Sequence, residues 1–125
     1  MTVLLLAAAF LALLVGVAHS YLGERYILIR LFRRDDLPRL FGSDWFTRRT
    51  LRFVWHLTTV VCWGLAAVLV VAASTSGPGF REAVLLAIAG TFLASAILAG
   101  GFTKGRHLSW IVLLAISVLI FAASR

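Results

Sequence analysis

Apolar residues dominate this chain in four long runs, at residues 3–21, 53–73, 83–102 and 108–123, separated by one long segment and two short polar breaks. A hydrocarbon core about 30 Å thick takes about 20 helical residues, so each run is expected to cross a bilayer as a helix. The pattern predicts an all-α, integral membrane four-helix bundle forming a single transmembrane domain over residues 1–125.

The break between the first two runs is long and mixed. Over residues 25–34, arginines alternate with Tyr26, Ile27, Leu28, Ile29, Leu31 and Phe32. This suits an amphipathic continuation of the first helix, bending along the membrane interface to end near Arg34. Asp35-Asp36-Leu37-Pro38 should stop it, because proline disfavours helical geometry at the residue before it. Ser43 or Asp44 is placed to cap the next helix near Trp45, with Trp45 and Trp55 as interfacial anchors. Residues 74–79, containing Gly77-Pro78-Gly79, read as one turn and residues 100–106 as another.

Composition agrees with the pattern: 62% of the 125 residues are hydrophobic and 14% charged, and the mean hydropathy is +1.00. A soluble domain is far from these values. Met1-Thr2-Val3 carries no basic side chain, so the first run reads as a retained span and not a cleaved leader. The single Cys62 forms no intramolecular disulfide and leaves the redox compartment open.

Charge then suggests an orientation. Arg25, Arg30, Arg33, Arg34, Arg39, Arg48, Arg49 and Arg52 lie between the first two runs, and Lys104 and Arg106 between the last two. These make ten of the 12 basic residues on one side, leaving Arg81 and Arg125 for the other. The positive-inside rule puts the segment 24–52 in the cytoplasm and both termini outside it. The net charge of +7 becomes a basic belt facing anionic headgroups. Interleaved apolar residues make it a lipid-facing surface and not a nucleic-acid groove. A bacterial inner membrane is the expected location, from size and from alanine, leucine and arginine usage.

Candidate chemistry centres on histidine. Measured from the middle of each run, His19, His56 and His107 lie about 13, 10 and 13 Å toward the basic side. His19 shares a stripe with Ala8, Ala12, Gly16 and Gly23; His56 with Thr59, Trp63, Ala66 and Val70; His107 with Trp110, Leu114, Ser117 and Phe121. If these stripes face inward, three imidazoles meet in one pocket. Such a set suits zinc, copper or iron, with Glu24 as fourth ligand, outer partner or proton carrier. A redox, sensing or metal-handling role follows from that reading. A haem b variant uses two of the histidines as axial ligands, with Gly16, Gly23 or Gly64 making room and Arg25 or Arg52 pairing the propionates. It resembles the general scheme of membrane b-type cytochromes, as an analogy of architecture.

Other readings compete. In the simplest, the histidines form interhelical hydrogen bonds, Glu24 pairs with a neighbouring arginine, and the chain is a structural or assembly subunit of a larger membrane complex or homo-oligomer. An oligomeric small transporter has a similar length, yet residues 3–18 lack the deep acidic residue that proton-coupled four-helix drug exporters carry. Hydrolase chemistry finds no orienting carboxylate for Ser20 or Ser109, and no catalytic residue is assigned.

Overall fold

The computed structural model describes residues 2–124. Met1 and Arg125, the latter one of the two basic residues assigned to the outer face, lie outside the described residues. With no proline before Pro38, the first apolar run continues without a break as α1, Thr2–Leu31. At 1.5 Å per residue its 30 residues extend about 45 Å, well past a hydrocarbon core. It is α-helical over Thr2–Leu22, π-helical over Gly23–Leu28, and closes on Ile29–Leu31.

The π turn has a packing cause. Gly16 and Gly23 are seven residues apart, close to two α-turns, and both are buried. The next buried residue is Leu28, five positions on. In an α-helix those five residues would rotate about 500°, leaving Leu28 about 140° off the seam. Widening to the i→i+5 bond seen from Ile29 N–H to Glu24 O brings Leu28 back onto it.

After Leu31 the chain turns. Leu40 and Ser43 bridge across Phe41 and Gly42, whose φ angles of 57° and 84° are both left-handed. Helix α2, Trp45–Ser74, has 30 residues. Asp44 stands at its N-cap position as expected, but its carboxylate takes two bonds from Arg48, at 2.8 and 2.6 Å, and makes no cap bond. Helix α3, Phe80–Thr103, has 24 residues. It ends in a Schellman pair, Gly105 N–H to Gly100 O at 2.9 Å and Lys104 N–H to Gly101 O at 3.4 Å, with Lys104 left-handed.

Helix α4, Ser109–Ala123, is only 15 residues, about 22 Å long. This corrects the fourth expected span. Three helices, α1, α2 and α3, are long and apolar enough to cross a membrane, whereas α4 is apolar but shorter.

The helices are all present, but not every pair of them meets. Among the described residues each helix packs only on its neighbours in the chain, giving an open row α1, α2, α3, α4. The buried apolar residues are Ala9, Leu28, Phe53, Ala66, Ala89, Ala96 and Ala99, five of the seven being alanine. Large side chains such as Phe10, Leu65, Ile97 and Leu119, each at least 60% exposed, point outward. In water such a row would close over its apolar faces, but lipid tails solvate leucine as well as another helix does. Only close backbone approach and polar contacts then favour a seam. Gly64 against Thr91 joins α2 to α3, and the Ser117 hydroxyl donating to Ala89 O at 2.8 Å joins α3 to α4.

Candidate functional site: a polar seam between α1 and α2

At the basic end of the α1–α2 seam the small-residue stripe meets a polar one. Arg52, His56, Thr59 and Trp63 recur on one face of α2 at helical spacing, and all of them reach α1. The Trp63 indole N–H donates to Leu13 O at 3.3 Å. The Thr59 hydroxyl, buried, donates to Gly16 O at 3.2 Å. Ser20 Oγ lies 2.7 Å from Thr59 Oγ1 and 2.7 Å from His56 Nδ1. His56 Nε2 lies 3.3 Å from Glu24 Oε2. Arg52 grips the same carboxylate as a fork, Nη2 to Oε1 at 2.7 Å and Nε to Oε2 at 3.1 Å. Phe102 of α3 stacks on the His56 ring, with centroids 5.7 Å apart.

Hydrogen-bond arithmetic constrains this string. Gly16 O can only accept, so the 3.2 Å contact takes the one Thr59 hydroxyl proton when it is made. With that proton turned to Ser20 instead, Ser20 donates to His56 Nδ1 and His56 Nε2–H donates to Glu24, so a neutral imidazole completes the string. The Arg52 fork holds the Glu24 carboxylate at its end.

The three histidines do not share a pocket. His19 is next to Ser20 in sequence, so it points about 100° away from the seam contact to His56. Its ring stacks on Trp55, 4.7 Å between centroids and 9° between planes, and its Nε2 lies 2.8 Å from Thr58 Oγ1. The Trp55 indole N–H closes the unit on His19 O at 3.2 Å. His107 sits in the turn before α4, stacked on Phe46 at 5.9 Å and tilted on Phe53 at 5.6 Å. Its Nδ1 accepts from Ser109 N–H at 3.3 Å and lies 2.8 Å from Ser109 Oγ.

The ligand set His19, His56, His107 and Glu24 is thus not assembled. Only Glu24 and His56 touch, and the described residues contain no group of three or more histidine, cysteine, aspartate or glutamate side chains able to hold a metal. For the haem arrangement, the space beside Gly16, Gly23 and Gly64 is filled by Trp63, Trp55 and Thr91. Arg52 is taken by Glu24, and Arg25 lies against Tyr26. A hollow of about 380 Å³ between α2, α3 and Leu113 of α4 has no titratable group in its lining.

Sequence reasoning placed His56, Thr59 and Trp63 on one face correctly, and it had the arginine pair of Glu24 only as the alternative to a ligand role. It weighed Ser20 only as a nucleophile and not as a seam contact, although Gly16, Ser20 and Glu24 at four-residue intervals mark one side of a helix. The chain matches no family model, no curated protein and no solved structure.

Proposed function

We propose that this chain is a non-catalytic subunit of a larger membrane assembly, in which a second membrane protein covers part of its open row of helices. The observation that carries this reading is the packing: among the described residues the backbone of each helix closely approaches only its neighbours in the chain. The polar groups offered as chemistry are committed to structure. His56 bonds across the α1–α2 seam, His19 is fastened to α2 through Trp55 and Thr58, and His107 braces the α3–α4 turn on Phe46 and Phe53. On this reading the basic end faces the cytoplasm, where the segment between α1 and α2 meets headgroups and the partner.

Extraction of the full chain from its native membrane in a mild detergent, followed by native mass spectrometry and cross-linking, tests the proposal. The expected result is a different membrane protein present in fixed stoichiometry. A monomer free of partners, or an assembly containing this chain alone, overturns it. Elemental analysis of the same material is expected to show no stoichiometric zinc, copper or iron, and its absorption spectrum no Soret band. A stoichiometric metal or haem would return the histidines to a ligand role.

A further inference from the structure

We propose that Arg25, Arg30 and Arg33, grouped around Tyr26, bind the phosphate of an anionic phospholipid whose acyl chain lies along α1 toward Val15. This goes beyond the subunit reading and does not depend on any protein partner. The first observation is a groove of about 380 Å³ lined by Arg25, Tyr26, Ile29, Arg30 and Arg33. No carboxylate lines it. Elsewhere in the basic belt Arg34, Arg48 and Arg52 are neutralised by Asp36, Asp44 and Glu24, but these three arginines form no ion pair among the described residues. The guanidinium carbons of Arg25 and Arg30 lie 6.0 and 5.8 Å from the Tyr26 ring centre. The π turn is what groups them: five residues apart, they would point about 140° away from each other in an α-helix.

The second observation identifies the anion. A groove of about 500 Å³ shares Tyr26 with the first and runs back between α1 and Trp55 of α2, past Ile27, Leu22, His19 and Ala18 to Val15. Its walls are almost wholly apolar. A cationic groove joined end to end with an apolar one matches a phosphodiester followed by a hydrocarbon chain, and free phosphate or nucleic acid would leave the second groove unfilled. The height fits as well. Helix α1 is about 45 Å long against a core of about 30 Å, so its last turns stand at headgroup level. Planar guanidinium forks suit phosphate oxygens, and bringing uncompensated arginines together favours an anion between them.

The test uses the full chain in mild detergent, titrated with phosphatidylglycerol or phosphatidylcholine and read by native mass spectrometry. Phosphatidylglycerol is expected to bind in preference. At about 1 kcal/mol per arginine, each single Arg→Gln change should weaken it about fivefold, and the triple variant R25Q/R30Q/R33Q about a hundredfold. A charge-matched triple elsewhere in the belt, R39Q/R49Q/K104Q, should shift it by less than about twofold. Ala18→Trp, which obstructs the apolar groove, should weaken the lipid while leaving the arginines in place. Equal losses in the two triples would reduce the effect to general attraction by the belt and overturn the site. Displacement of the lipid by inorganic phosphate at equal concentration would overturn the lipid assignment. A photoactivatable phosphatidylglycerol should label residues 15–33, and labelling spread evenly over the belt would count as refutation even if a variant failed to fold.

Discussion

Replacing Gly23 by alanine puts the α1–α2 seam under the most direct strain. A Cβ at Gly23 would overlap Nε1, Cε2 and Cζ2 of the Trp55 indole. These are rigid ring atoms, so relief requires the whole indole to move. That indole also holds His19, through its N–H bond to His19 O at 3.2 Å and through the ring stack at 4.7 Å. Losing the hydrogen bond costs about 0.5–1.5 kcal/mol, and losing the stack about as much again. Residual overpacking adds about 1–3 kcal/mol. Against these stands the helical preference for alanine over glycine, about 1 kcal/mol. The net expectation is a loss of about 1–5 kcal/mol. Gly90 supplies the opposite case, because a Cβ there meets nothing within 4 Å, so Gly90→Ala should be neutral or stabilising by up to about 1 kcal/mol. Both variants can be followed by reversible unfolding in mixed detergent–SDS micelles, using tryptophan fluorescence. Equal stabilities for the two, or a Gly23→Ala protein as stable as wild type, would refute the close approach of the helices at this point.

Glu24→Gln leaves the Arg52 fork without its charged acceptor and should destabilise the seam by about 1–3 kcal/mol in the same assay. Arg52→Gln in addition should recover part of that loss, because it removes the stranded charge. Ser117→Ala removes the hydroxyl that donates to Ala89 O and should cost about 0.5–1.5 kcal/mol, with the loss appearing in α3–α4 cross-linking and not at Trp55. In the loop, the Arg34 guanidinium beside Asp36 lowers that carboxyl from 3.8 to about 2. The depressed value means that the pair stabilises the loop fully above pH 3.8 and loses that effect as pH falls toward about 2. A carboxyl NMR titration should show the low midpoint in the wild type and its return toward 3.8 in Arg34→Gln.

The parts of this fold set by hydropathy were legible in the sequence. The start of α2 follows from the polar residues before Trp45, and the start of α4 and the turns at Gly77 and Gly105 from apolar run length and glycine placement. So does the α2 face holding His56, Thr59 and Trp63, since one regular helix carries it. What escaped was governed by geometry between elements. His19 was assigned to the seam by its small neighbours, yet the contact to His56 is made by Ser20, one position on and about 100° around the helix. The π turn depends on which residues of α1 meet α2, and hydropathy does not contain that information. Equal counts from the middle of each run were insufficient to bring three histidines together, because convergence also requires α1 to approach α4, and these helices do not touch. A closed bundle is the default in water; among lipid tails nothing comparable drives closure.

The widened turn in α1 has one more consequence. Between Gly23 and Leu28, four residues are looped out where an α-helix would return to the same side after three. One of the residues from Arg25 to Ile27 is thus surplus to the grip between the helices. Shortening the stretch by a single residue would let the hydrogen-bond ladder relax to the ordinary four-residue spacing while both anchor points kept their aim. The molecule carries that spare position at the basic end of α1, where it widens the outward display of the helix without loosening the join behind it.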